Sequence, residues 1–257
     1  MMRTGVRAVV SAMVATVAVA SAEPKNVLVF SLTQGFRHKD AIEIGNPILK
    51  RLAEECGYTC TISEDLALLG PDQVKQWQLI IYNNCTSRLQ FPEAEKREAF
   101  LRRIREDGAG FMGFHAATDC NYDWPEYGEM INGYFAGHPW NQVVQTRLED
   151  PTHPLLAPFA GNSFEVRDEI YQFRNYKRSN TRVLMSIDTQ KTDMNKPGVD
   201  RAGGIFPLSW TRTYGKGRVF YSALGHQKDV YWRPYVLQHY LAGIQFALGD
   251  LDETPPK

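Results

Sequence analysis

Four short apolar runs in the first half of the chain constrain its fold more than any other feature. Residues 26–32 (NVLVFSL), 58–63, 77–82 (WQLIIY) and 109–114 (AGFMGF) are each too short for a helix with a buried stripe. Their Val, Ile and Phe content suits strands, and three of the four lack the polar alternation of a half-solvated sheet, so they read as buried parallel strands. Between them lie helical patterns. Ile44, Ile48, Leu49 and Leu52 share one face and stop near Gly57, which suits a glycine C-cap. Residues 92–105 form a second, charged helix opened by Pro92, with Phe100, Leu101 and Ile104 on one side and Gly108 at its end. The two glycines of the fourth run leave room for a neighbouring element. This rhythm predicts an α/β fold with a doubly wound, mostly parallel sheet.

The second half changes character. Residues 142–148, 164–173, 182–187, 205–213 and 218–223 read as strands with few helices between them, and Gly215-Lys216-Gly217 reads as a hairpin turn. Residues 235–248 close the fold as an amphipathic helix. No linker or repeat divides the chain, so one domain over residues 25–249 is expected, with additional β-strands and a hairpin in its C-terminal half and a flexible tail at 250–257.

Residues 1–22 are set apart from the fold. Arg3 and Arg7 precede an apolar stretch, and Ala20-Ser21-Ala22 makes an A-x-A cleavage site, the pattern of a secretory signal peptide. A secreted or periplasmic protein is the expectation, with no membrane association after cleavage after Ala22. The chain holds 29 basic and 29 acidic residues with no basic stripe, which argues against nucleic acid as a partner. Four cysteines, Cys56, Cys60, Cys85 and Cys120, allow three complete disulfide pairings that sequence does not rank; buried free thiols are the preferred reading.

Polar residues fall at a telling place. In an open parallel sheet, ligands bind beyond the carboxyl ends of the strands. The first run leads into Arg37 and His38, the third into Asn84, the fourth into His115 and Asp119, and the strand at 218–223 into His226. His138 follows in a loop, Gly137-His138-Pro139-Trp140. His153 sits in a turn and His239 on a helix face, both read as structural. Asp168 and Glu169 are adjacent on a strand and point to opposite faces, so at most one should line a given pocket. Trp140, Tyr171 and Trp210 are candidate flat surfaces for a sugar ring.

Taken together, several segments resemble the trehalose-utilisation (ThuA-like) family of the class I glutamine-amidotransferase-like group. They are Gly35-Phe36-Arg37-His38, residues 113–119 (GFHAATD), Gly137-His138-Pro139-Trp140, Asp168-Glu169-Ile170-Tyr171, Trp210-Thr211-Arg212, and residues 215–221 leading to Gly225-His226. The resemblance spans about residues 25–249 and implies a flavodoxin-like core and a link to disaccharide metabolism. Where amidotransferases carry a nucleophilic Cys after a strand, this chain has His115, and Cys120 lacks the flanking glycines of that elbow, so Cys-dependent glutamine hydrolysis is not expected.

The functional expectation is a sugar-active enzyme working on a disaccharide or keto-sugar derivative by isomerisation or by elimination and hydrolysis. His115 would be the base, oriented by Asp119, with Arg37 or His38 steadying an oxyanion. Asn84, Trp140, Glu169, Tyr171, Trp210 and His226 would bind the small-molecule carbohydrate. A variant places a divalent metal between His115, His138 and a carboxylate, although histidines so far apart in the chain form no ligand motif by spacing. No Gly-x-Gly-x-x-Gly follows the first run, so no nicotinamide cofactor is expected. The rivals are a non-catalytic carbohydrate-binding protein and a thiol hydrolase using Cys85 or Cys120.

Overall fold

The computed structural model describes residues 24–89 and 93–253; the expected signal peptide and Pro92 lie outside them. In chain order the main elements are β1 (Asn26–Phe30), α1 (Lys39–Glu55), β2 (Thr59–Ser63), β3 (Leu79–Asn83), α2 (Ala94–Arg105), β4 (Gly110–Phe114) and α3 (Pro125–Ile131). They continue with β5 (Tyr134–Leu148), β6 (Glu165–Arg174), β7 (Arg182–Ile187), β8 (Pro207–Tyr214), β9 (Gly217–Ser222) and α4 (Pro234–Ala247). The strands form one nine-stranded sheet in the order β2-β1-β3-β4-β9-β8-β7-β5-β6. From β2 to β9 neighbours run parallel, which is the flavodoxin-like strand order. From β9 to β6 they run antiparallel.

The apolar runs are apolar because helices cover both faces of the parallel half. All of β3 and β4 is buried, and so is β1 after Asn26. Helix α1 turns Ala41, Ile42, Gly45, Asn46, Leu49 and Ala53 inward. At its centre, the buried amide of Asn46 accepts from Ser31 (2.8 Å) and Asn83 (2.8 Å), tying the helix to the ends of β1 and β3. The β4 glycines act as expected: a Cβ on Gly110 would stand 2.3 Å from the Ala247 carbonyl of α4. Between β2 and β3 the chain forms two 3-10 turns instead of a helix.

Two boundaries differ from expectation, and one matters for the site. Strand β5 starts at Tyr134, so His138 lies within a strand and not in a loop. Gly137 pairs with Gln172 and Trp140 with Ile170, which leaves His138 and Pro139 opposite the single residue Tyr171. That is a β-bulge, and a bulge is where a strand tolerates a proline that cannot donate to the ladder. The expected tail also begins late. Asp250 pairs with Lys25 (2.5 Å) and Tyr58 (2.6 Å), and Asp252 with Arg218 (3.0 Å), which anchor the segment before residue 254. Residues 254–257 lie outside the described part. Among the described residues no helix is long and apolar enough to cross a membrane.

All four cysteines are free. Burial raises the Cys85 and Cys120 thiols well above their ordinary value, so neither offers a thiolate, which removes the basis of the thiol-hydrolase reading. His153 accepts from the Leu155 amide (3.1 Å) and His239 bonds the Leu155 carbonyl (2.7 Å), both structural as expected.

His239 generates a stability prediction. It is fully buried in α4, and burial lowers its pKa from the ordinary 6.5 to about 4. Below pH 6.5 the unfolded chain therefore binds this proton more readily than the folded one. The contribution is complete above pH 6.5 and is lost as the pH falls toward 4, amounting to about 2.5 kcal/mol by pH 4.5. Urea unfolding at pH 7.0 and 4.5 should show wild type losing about that much more stability than His239→Leu. Equal losses would show that this imidazole is not held neutral.

Candidate functional site

The site is assembled at the carboxyl ends of β1, β4 and β9, under a ribbon formed by β5 and β6. His38 is the residue before α1; its carbonyl accepts from the Ile42 amide (2.9 Å), while its side chain makes no cap and stays free for other contacts. His115 follows β4 with φ 45°, left-handed for a non-glycine residue. Such a conformation costs about 1 kcal/mol or more and persists only where the surroundings hold it. Here the Tyr221 hydroxyl donates to the His115 carbonyl (2.7 Å), and Tyr221 is itself stacked on Trp210. His226 lies beyond β9. Glu169 lies on β6, which crosses over these strand ends.

Three of the side chains meet in a triangle. Nε2 of His115 is 3.3 Å from Oε2 of Glu169, Nδ1 of His226 is 3.4 Å from the same oxygen, and the two nitrogens are 3.3 Å apart. The His38 ring is edge-on to both, with centroids 4.9 Å from His115 and 5.0 Å from His226. One ligand-type atom from each of His38, His115, Glu169 and His226 lies within 4.8 Å of all the others. His138 sits at the rim: half-exposed, its Nδ1 is 3.5 Å from the other Glu169 oxygen. Tyr171 packs beneath His115 with ring centroids 4.1 Å apart.

The electrostatics follow from this crowding. Burial would raise the Glu169 carboxyl, but the His115 and His226 imidazoles outweigh it and hold the group well below the usual carboxylate range. Burial, then the neighbouring imidazoles, push His38 down to about 3. Burial opposes the charged form of His226, yet its contact with Glu169 leaves its pKa raised. His115 donates its Nδ1 proton to the Ala223 carbonyl at 3.0 Å, which turns its Nε2 toward Glu169 and His226.

Asp168, next to Glu169, performs a different task from the one its neighbour does. It is fully buried and accepts four backbone amides: Gly225 (2.7 Å), His226 (3.2 Å), Gln227 (2.9 Å) and Glu169 (2.9 Å). One carboxylate thus lines the pocket, as strand geometry requires, while the other clamps the loop that carries His226.

Several expected site residues have other partners. Arg37 donates to Glu64 (2.6 and 3.2 Å) and to Thr33 (3.1 Å), because β1 and β2 are neighbours and their carboxyl ends lie side by side. Asp119 accepts the Tyr122 hydroxyl and makes no hydrogen bond to His115, whose orienting partner is the Ala223 carbonyl. Trp140 and Trp210 are fully buried, with their indole nitrogens on the Asp193 and Ile131 carbonyls, so neither presents a face to a sugar. Asn84 is buried and donates to the Gly225 carbonyl (3.2 Å), a loop contact. Sequence reasoning passed over Phe36. It is 69% exposed and lies edge-on to His38 at 4.9 Å. It stands with His38, His226 and the expected Arg37 around a hollow of about 290 Å³. An exposed Phe in a Gly-Phe-Arg-His run was the available signal. Larger hollows, of about 760 Å³ beside Tyr122 and Arg174 and about 500 Å³ beside Thr189 and Phe206, include none of the clustered histidines. Chemistry, not volume, selects the site.

The clamp is testable. Asp168→Asn replaces an acceptor of four amides by a group with one acceptor oxygen and two donors, leaving amides unpaired at about 1–3 kcal/mol each. Hydrogen exchange at Gly225, His226 and Gln227 should speed up by at least about tenfold while β1 and β3 stay protected. Unchanged exchange at those three amides would show that the loop is held by other means.

Comparison with known proteins bears on family and fold. The family model described as trehalose utilisation matches residues 26–247. No curated protein matches the sequence. Among solved structures, a ThuA-like protein of Bacteroides uniformis superposes with a TM-score of 0.72 at 21% identity, covering 88% of this chain and 93% of that one. A ThuA-like protein of Parabacteroides merdae gives 0.66 at 18% identity, over 91% and 94%. A β-galactosidase from Rahnella gives 0.52 at 11% identity over 88% of this chain but 32% of that one, a likeness of fold alone. The chain belongs to the trehalose-utilisation (ThuA) family, and with it to sugar utilisation.

Proposed function

We propose that this chain is an exported enzyme acting on a keto-sugar derivative of a disaccharide, by isomerisation or by elimination and hydrolysis. The observation that carries the reading is the contact of one carboxylate, Glu169, with three imidazoles, those of His115 and His226 beyond parallel strands and that of His138 on the β5 bulge. A carbonyl makes the adjacent C–H removable by a base of suitable pKa. His138 takes this role better than His115, since it is half-exposed whereas His115 is fully buried with its ring nitrogens facing Ala223, Glu169 and His226. Glu169 beside Nδ1 of His138 would orient that ring and stabilise the imidazolium once the proton has moved. The oxyanion formed on the substrate would face the inner imidazoles, away from water. Phe36 at the mouth offers an apolar face for the sugar ring. Export rests on the sequence of residues 1–22.

The test is to incubate the protein with a panel of disaccharides oxidised to keto-sugars and to follow them by proton NMR. Conversion is expected, with kcat/KM lowered about 10²–10⁴-fold in Glu169→Gln. Phe36→Ala should raise KM up to about tenfold with kcat nearly unchanged. Saturable binding without conversion across the panel would replace the enzyme by a carbohydrate-binding protein.

A further inference from the structure

We propose that His38, His115, Glu169 and His226 bind one divalent first-row transition ion through three imidazole nitrogens and a carboxylate oxygen. The first argument is distance. Ligand atoms held 2.0–2.1 Å from a tetrahedral ion stand about 3.3–3.4 Å from one another. The three edges of the triangle made by His115 Nε2, His226 Nδ1 and Glu169 Oε2 measure 3.3, 3.3 and 3.4 Å. The fourth group, His38, brings a nitrogen within 4.8 Å of all three.

The second argument is an unpartnered buried nitrogen. With Nδ1 engaged by the Ala223 carbonyl, His115 turns Nε2 toward a carboxylate and another imidazole. His38 adds a buried ring, 6% exposed, whose Nδ1 has no hydrogen-bond partner among the described residues. Buried polar groups are normally satisfied, and a cation held among these ligand atoms would satisfy this one.

The third argument is the surrounding support. Metal-bound histidines commonly donate their other nitrogen to a carbonyl or carboxylate, which fixes tautomer and ring orientation. Ala223 does this for His115, and the Asp168 clamp fixes the loop that carries His226. The donor set selects the ion: imidazole with one carboxylate suits Zn, Fe, Mn, Co or Ni, and not the all-oxygen preference of Ca²⁺ or Mg²⁺. His138 is excluded from the set, since it reaches only the far oxygen of Glu169. This corrects the expected His115–His138 pair. The inference deepens the proposed activity and shares its site, because such an ion, taking a carbonyl oxygen as a fifth ligand, would polarise a keto-sugar carbonyl.

The experiment is done without substrate, so that failure of the metal and failure of the activity are separable. Protein stripped with a chelator is titrated calorimetrically with Zn²⁺ and with Mn²⁺, and metal content is measured after dialysis. One ion per chain is expected, with affinity reduced at least about 100-fold in His226→Ala and in Glu169→Gln and retained in His138→Ala. Circular dichroism confirms that each variant is folded. Should a variant unfold, wild-type crystals soaked in Zn²⁺ are to show one anomalous peak inside the triangle. No binding by the folded wild type, affinity undiminished in both ligand variants, or a peak elsewhere overturns the assignment.

Discussion

Everything in the site depends on where one carboxylate stands. Glu169 reaches two buried or half-buried imidazoles with one oxygen and the rim imidazole of His138 with the other. Its position is not a matter of its own strand alone. Asp168 gathers the amides of residues 225–227 and of Glu169 itself onto one buried carboxylate. The clamp joins β6 to the end of β9 across the top of the sheet, and so brings together residues more than fifty positions apart in sequence. Fully desolvated, such a carboxylate is tolerable only with its lone pairs occupied.

The fold supplies the remaining geometry. Parallel strands place their carboxyl ends along one edge, so β1, β4 and β9 deliver His38, His115 and His226 to a common place without any sequence proximity. The antiparallel half then bends back. The bulge at His138 and Pro139 turns a side chain of β5 toward Glu169 and gives the site an accessible side. His115 occupies a left-handed turn, and Tyr221 and Thr118 hydrogen-bond its carbonyl in that strained state. Strain kept at such a point, where a glycine would be cheaper, fits a side chain retained for what it contacts.

Much of this was legible in the residues. The apolar runs marked β1, β3 and β4, and the rule that pockets form beyond strand ends picked out His38, His115 and His226. Other parts depend on pairings that a linear reading does not hold. Arg37 looked free because Glu64 comes a whole βα unit later, and adjacent parallel strands bring the two together. Trp140 and Trp210 looked like sugar platforms because aromatic residues beside histidines look alike whether they face solvent or core. Gly137 and Pro139 suggested a loop, since both residues that signal a bulge also signal a turn. Helix α3 escaped notice because its seven residues give too short a period to read.

The central claim is that chemistry takes place at the histidine cluster and not in the larger hollows of the surface. A crystal of the wild-type protein soaked with a keto-disaccharide tests it most directly. The account predicts sugar density against Phe36, with its carbonyl oxygen within about 3 Å of the group formed by Glu169, His226 and His138, at hydrogen-bonding or coordinating distance. Density confined to the hollow beside Tyr122 and Arg174, with the cluster untouched, would contradict it.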